Sequence, residues 1–216
     1  MNQSTAPPPT REALLRAGRE VFARRGYDGA SIREITRRAQ ANLGAVTYHF
    51  GTKRRLYQAV LASFAEPLAE RLTRPPAGSA SPLERVTGIL NEFFGALLDQ
   101  KELPALMLHE LALNRPAPPP IRQTMEQVFR LLVAEIQAGQ ADGTIVDGSP
   151  SILAMNVVAH PIYVALLRHR LRDVFGLDVG DPAFRVALVA QTTRSVRRGL
   201  ATGGEPRGLA TGGEPQ

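Results

Sequence analysis

The chain of 216 residues contains no cysteine. That excludes a disulfide framework, a thiolate metal site and a cysteine nucleophile. It also lacks an uninterrupted run of about 18 apolar residues, so no membrane-spanning helix is expected. The first ten residues, MNQSTAPPPT, have neither a charged n-region nor an apolar h-region. No signal peptide is therefore expected, and the cytoplasm is the expected compartment. Catalytic constellations are equally scarce: there is no G-x-S-x-G and no P-loop. The four histidines are His49, His109, His160 and His169. His109-Glu110 opens like H-E-x-x-H, but position 113 is leucine, so the zinc motif fails. Neither an enzyme nor a cofactor or metal site is expected.

What the chain does have is apolar content, 44% of residues, and an uneven distribution of charge. Residues 1–75 carry 13 Lys and Arg against 6 Asp and Glu, a net of +7. Residues 76–216 carry 13 against 14, a net of −1. The whole excess of +6 thus lies in the first third. A positive charge concentrated in one region is the electrostatic footprint of a nucleic-acid binder.

That region contains SIREITRRAQANLGAVTYHFGTKRRL, from Ser31 to Leu56. Ser31 and Glu34 have the S-x-x-E spacing of a capping box, which predicts a helix from about Ile32. Ile32, Ile35 and Ala39 give it one apolar face. Asn42 is an N-cap for a second helix, Leu43 to Phe50, and Gly51 fits a left-handed C′ position. Thr52 is the N-cap of a third, whose first turn is Lys53-Arg54-Arg55. In the middle helix Val46 and Phe50 would face a core. Gly44, Ala45 and Tyr48 then point outward, flanked by Thr47 and His49. This outer face is small and polar, and can lie close to another surface. Three cations at a helix start oppose the macrodipole by roughly 0.3–1 kcal/mol each. An anion docked there reverses the sign, because free amides and cations converge on it.

The run GAVTYHFGTKRRLY resembles the DNA-binding domain of the TetR family of bacterial transcriptional regulators, and within it the subgroup reading YHFGSK. The similarity extends upstream through REALLRAGREVFARRG at Arg11–Gly26 and covers about residues 10–65. It implies an all-α homodimer with an N-terminal helix-turn-helix on operator DNA and a C-terminal domain for a small effector. Residue by residue, it implies Arg33, Leu43, Ala45 and Thr47 near base edges, with Gly44 beside them. It implies Ser31, Tyr48, His49, Thr52 and Lys53 at phosphates. Thr47 stands where many members have an aromatic, so operator preference stays open.

Along the chain, residues 1–9 read as a disordered arm, and 10–73 as the helix-turn-helix domain with a connecting fourth helix. Gly18, in the middle of the first helix, suggests a close helix crossing. Pro67 lies inside the fourth helix and should kink it. RPPAGSAS, from Arg74, reads as a linker. Residues 82–199 read as an all-helical ligand-binding and dimerisation domain, about nine helices in all. Its helices should begin at Ser81-Pro82, Ser149-Pro150 and Asp181-Pro182. Residues 200–216, with the tandem RGLATGGEP, read as a disordered tail. The helices at about 150–174 and 182–198 are apolar nearly all round, which predicts that an identical chain covers them. A charge at Leu188 should then break the dimer.

Phe93, Phe94, Met107, Met125, Phe129, Met155 and Tyr163, with His109, Asn156 and His160, form the candidate lining of an apolar effector pocket. The reading that follows is a repressor that binds a palindromic operator as a dimer and is released by a small apolar effector. The rival is a DNA-binding adaptor whose C-terminal domain binds a protein partner.

Overall fold

The computed structural model describes residues 11–73, 81–112 and 116–203. The expected arm at 1–9, most of the Arg74 linker and the tail beyond 203 lie outside the described residues. The described residues form nine helices: α1 (Arg11–Gly29), α2 (Ile32–Arg38), α3 (Gly44–Phe50), α4 (Lys53–Thr73), α5 (Pro82–Asp99), α6 (Leu103–Ala112), α7 (Pro119–Ala141), α8 (Pro150–Phe175) and α9 (Pro182–Leu200). One isolated antiparallel bridge joins Ile145 to Ala201. The fold class is all-α, with an N-terminal helix-turn-helix and a C-terminal helical bundle.

Local chemistry sets most of the helix ends. Ser81 accepts the Glu84 amide at 3.3 Å while Glu84 accepts the Ser81 amide at 2.8 Å, a complete capping box. Asp181 caps α9 by accepting the Phe184 amide at 2.7 Å. Proline occupies the first turn of α5, α7, α8 and α9, where its missing N–H costs no helical bond. α2 ends in a paired Schellman arrangement. Ala41 donates to Thr36 O at 2.8 Å and Gln40 to Arg37 O at 3.2 Å, with Gln40 at φ 54. Gly26, at φ 64 and ψ −178, breaks the helix as its position suggests, and a short helical turn follows the kink to Gly29.

Three apolar cores organise the packing. The first joins α1 to α4 through Leu14, Val21, Phe22, Ile35, Val46, Leu56, Val60 and Phe64. Gly18 sits at the α1–α4 crossing, where a Cβ would lie 3.0 Å from Val60 Cγ2. The second core lies among α5, α7 and α8, with Leu90, Phe93, Leu132, Ile136 and Val157. The third holds Phe94, Leu98 and Val164 against Leu188 and Val189 of α9. α4 takes part in two of them: Phe64 and Ala65 belong to the first core, Leu68 and Leu72 to the second. Pro67 stands at the handover.

α4 does not join the two parts of the chain alone. Leu103 and Leu106 of α6 and Ile121 of α7 are buried in the first core. Tyr57 also donates to Glu110 at 2.6 Å. Burial, and then that hydrogen bond, push the Tyr57 phenol well above its ordinary range. Nor does the tail loosen at residue 200. Leu200 is buried in the second core, and Val146 donates to its carbonyl at 2.8 Å. Thr202 Oγ1 donates to Gly143 O at 2.6 Å. The apolar Leu200 side chain and the open backbone of the 143–146 turn supply partners that composition alone does not reveal.

α8 is long and apolar enough to cross a membrane by length and composition. Asn156, His160 and Arg168 interrupt its apolar residues, so it contains no uninterrupted run of about 18. One face of α8 packs through Ala154, Val157, Val158, Val164 and Ala165. Its other face carries exposed Ile152, Met155 and Tyr163.

Candidate nucleic-acid interface

The starts of α2 and α4 and one side of α3 surround an open cleft. Its lining is Ser31, Ile32, Arg33, Leu43, Val46, Thr47, Gly51, Thr52 and Lys53. No carboxylate is among them, while Arg33 and Lys53 bring positive charge and α4 points its N-terminus into the same space. Backbone amides and cations converging on one cleft suit an anion.

The local structure explains how these groups are presented. Asn42 Oδ1 accepts the Ala45 amide at 2.8 Å and so starts α3. Gly51 takes φ 77 and donates to Thr47 O at 2.9 Å, turning the chain sharply into α4. Thr52 Oγ1 accepts the Arg55 amide at 3.1 Å. Lys53 is not a loose surface cation. Its Nζ lies 4.8 Å from the centre of the Tyr27 ring and donates to Asp28 O at 3.3 Å. Tyr27 and Asp28 were invisible as parts of this site in the sequence, because they lie about 25 residues away.

The Ser31–Glu34 capping box does not form: Ser31 makes no side-chain cap bond. Glu34 instead pairs with Arg24 at 2.7 Å and Arg25 at 2.9 Å, bridging α2 to the end of α1. Two guanidinium groups outbid one backbone amide for the carboxylate. The Ser31 hydroxyl is consequently left exposed at the cleft.

Of the ten sequence-predicted DNA residues, Ser31, Arg33, Leu43, Thr47, Thr52 and Lys53 line this cleft. Gly44, Ala45, Tyr48 and His49 lie beside it on α3. Tyr48 is 86% exposed and meets His49 edge-on at 4.9 Å. An aromatic ring that exposed in free protein is available to another surface.

The ten predicted pocket residues do not come together. Phe93 is buried in the second core and Phe129 packs against it. Phe94 lies in the third core and meets His160 edge-on at 5.9 Å. Met107 packs on the first core, and Met125 touches the first and second. His109 faces α1, with Nε2 3.2 Å from Ala23 O and its ring against Gly26. Met155, Asn156 and Tyr163 are on the exposed side of α8. Periodicity identified apolar faces but not which core each face joins. Among the described residues no cluster of three His, Asp or Glu is placed to hold a metal.

Comparison with known proteins agrees with this geometry. Residues 14–60 match the family model described as bacterial regulatory proteins, tetR family. The chain is 30% identical over 97 residues to the HTH-type transcriptional regulator UidR of Escherichia coli K12, covering 44% of this chain and 50% of that one. The chain thus spans about half the length of the first curated relatives it matches. It is 26% identical over 158 residues to the HTH-type transcriptional repressor DhaR of Mycobacterium sp. GP1, covering 70% of this chain and 78% of that one. Its fold is similar to the transcriptional regulator FadR of Bacillus subtilis in complex with stearoyl-CoA. The TM-score is 0.71 at 16% identity, covering 88% of this chain and 99% of that one. The YHFGSK subgroup is not distinguished by these matches.

Proposed function

We propose, from the premise that this chain is a member of the TetR family through its N-terminal domain, that it is a cytoplasmic transcriptional repressor. It binds a palindromic operator as a homodimer and is released by a small apolar effector. The observation that carries the reading is the acid-free cleft where Arg33, Thr47, Thr52 and Lys53 surround the start of α4. In this reading α3 lies in the major groove, with Arg33, Leu43, Gly44, Ala45 and Thr47 toward base edges. Ser31, Tyr48, His49, Thr52 and Lys53 take phosphates. The helix-turn-helix domain with α4 spans 10–73, and the effector and dimerisation domain 82–199.

The dimer rests on α8 and α9. Ile152, Met155 and Tyr163 of α8 and Val186 of α9 are large apolar side chains left in solvent. A second copy related by two-fold symmetry would cover them. The effector reading draws support from the shared fold of FadR, which was solved with stearoyl-CoA. Its proposed site is among α5, α7 and α8, the helices that carry eight of the ten residues named from the sequence.

The test is selection of duplexes from a random pool by the full chain, followed by titration against salt. A two-fold symmetric consensus is expected, with affinity falling by about 0.9 log units per phosphate contact per log unit of salt. Salt-independent binding, or no enriched sequence, would overturn the reading.

A further inference from the structure

We infer that Arg19 is a positioning residue for DNA binding: it holds α4 at its proline break and so sets the angle at which the helix-turn-helix is carried. This rests on the operator-binding reading above. The starting point is covalent. Proline has no N–H, so Pro67 cannot donate to the carbonyl four residues earlier, that of Ser63. An orphaned carbonyl in a helix is satisfied by water or by another donor. Here the donor comes from α1. Arg19 Nη2 donates to Ser63 O at 3.3 Å, and Arg19 Nε donates to Ser63 Oγ at 3.1 Å. The Ser63 hydroxyl in turn donates to Val60 O at 2.6 Å. The guanidinium also lies over the Phe64 ring, 4.5 Å from its centre. One side chain therefore grips three features of the same turn.

Its neighbours make that grip possible. Gly18, the residue before Arg19, brings the α1 backbone against Val60. A larger residue there would move α1 away and take the guanidinium out of reach. The position along α4 is equally telling. The clamp lies at the last turn that belongs to the first core, immediately before Pro67 and the passage of α4 into the second. Below the break α4 is tied to α1 and the helix-turn-helix. Just below it Thr124 of α7 also donates to Ala65 O at 3.5 Å, and above it Arg71 pairs with Glu92 of α5 at 2.6 Å. Pro67 removes one helical hydrogen bond and so loosens α4 at that turn. With Arg19 in place it holds one angle, and two DNA-reading units in a dimer then keep one separation.

The test is a double-mutant cycle with Arg19→Met and Pro67→Ala in the full chain. Alanine restores the N–H that Ser63 O lacks, so Arg19 loses its task. In urea unfolding, which needs no DNA, Arg19→Met should reduce the folding constant about fivefold or more further in the wild-type background than in the Pro67→Ala background. Equal effects in the two backgrounds would overturn the clamp. The second measurement uses the duplex selected by the wild-type chain, with its centre lengthened or shortened by one base pair. Arg19→Met should flatten the preference for the original spacing about fivefold while leaving the salt slope unchanged. A slope reduced by about 0.9 would make Arg19 a phosphate ligand instead and overturn positioning. If Arg19→Met does not fold, Arg19→Lys keeps the charge and stem but loses the two-pronged donor, and the same comparisons decide. Should the wild type select no duplex, the operator reading fails by itself. The urea cycle, with faster amide exchange at Phe64–Ala65 in Arg19→Met, still decides whether Arg19 holds the break.

Discussion

Tyr57 of α4 and Glu110 of α6 meet across the two halves of the chain, phenol oxygen to carboxylate oxygen at 2.6 Å. Tyr57 is 5% exposed and packs within the first core, edge-on to Phe22 at 4.8 Å and tilted against Tyr27 at 5.1 Å. Tyr27 in turn lies under the Lys53 amine. A single chain of contacts thus runs from α6 to the DNA-facing start of α4. Two aromatic rings, Tyr57 and Tyr27, stand between α6 and Lys53.

Tyr57→Phe should keep the ring packing and remove only the hydroxyl. A hydrogen bond to a charged acceptor contributes about 1.5–3 kcal/mol, and the half-buried position of Glu110 favours the lower end. Urea unfolding should show a loss of about 1–2 kcal/mol near neutral pH. The sign of the alkaline limb follows from the raised phenol. A folded-state value above the unfolded one gives stability that is whole below the ordinary tyrosine range and fades as pH climbs through it. That share of the fading should be absent in Tyr57→Phe.

Gln40 is a side chain in a glycine position. At φ 54 it closes the Schellman turn between α2 and α3. The left-handed conformation costs a non-glycine residue roughly 1 kcal/mol. Gln40→Gly should therefore stabilise the protein modestly, by up to about 0.6 kcal/mol after the extra freedom of the unfolded chain, about 0.4–1 kcal/mol, is subtracted. A lower melting temperature in the variant would contradict this account of the turn.

Two S-x-x-E signatures had different fates, which shows what a sequence does and does not disclose. At Ser81 and Glu84 the signature became a capping box. At Ser31 and Glu34 the carboxylate went to Arg24 and Arg25. Helix starts with Ser-Pro or Asp-Pro, the Asn42 and Thr52 caps and the Gly18 crossing were legible because they depend on near neighbours or on backbone geometry. The docking of α6 on the first core, the scatter of the ten pocket residues and the pairing of Leu200 with Val146 were not. Each depends on which of several apolar faces wins a shared core, and periodicity assigns no address to a face. The Arg19 clamp was half legible: Pro67 announced an orphaned carbonyl, but not the donor 44 residues away.

The Ser81–Glu84 box gives an acid-side prediction. Hydrogen bonds from Ser81, the backbone amide foremost, hold the Glu84 carboxyl below its ordinary value. A folded value below the unfolded one gives stability present above the unfolded value and lost as pH falls through the folded one. Glu84→Gln should flatten the decline of melting temperature on the acid side of the carboxylate range. An unchanged acid limb would mean that the box contributes nothing measurable.

Lys53 separates phosphate binding from base reading. Its amine is already positioned by Tyr27 and Asp28, so little ordering remains to be done when a phosphate arrives. Lys53→Ala should weaken binding to selected and random duplexes alike and lower the salt slope by about 1. Thr47→Ala should leave the slope alone and change which duplexes are selected. If both variants changed only the slope, α3 would not be reading bases.

The dimer surface can be tested at a better position than Leu188. That residue, expected on the outer face of α9, packs in the third core beside Phe94 and Leu98 of its own chain. Leu188 is partly buried there, so Leu188→Arg would disturb the chain's own packing as well as any interface and could not tell the two apart. Val186 lies two residues earlier and is 70% exposed. Two residues on a helix are about 200° apart, so the two side chains point in nearly opposite directions. Val186→Arg leaves the chain's own cores intact and places a charge in the proposed interface, where two-fold symmetry sets it near its own copy. Light scattering should report a folded monomer, with helical circular dichroism unchanged. Operator affinity should drop to that of a single half-site, because the second recognition helix no longer arrives with the first. A Val186→Arg dimer of wild-type affinity would place the interface elsewhere than on this face of α9.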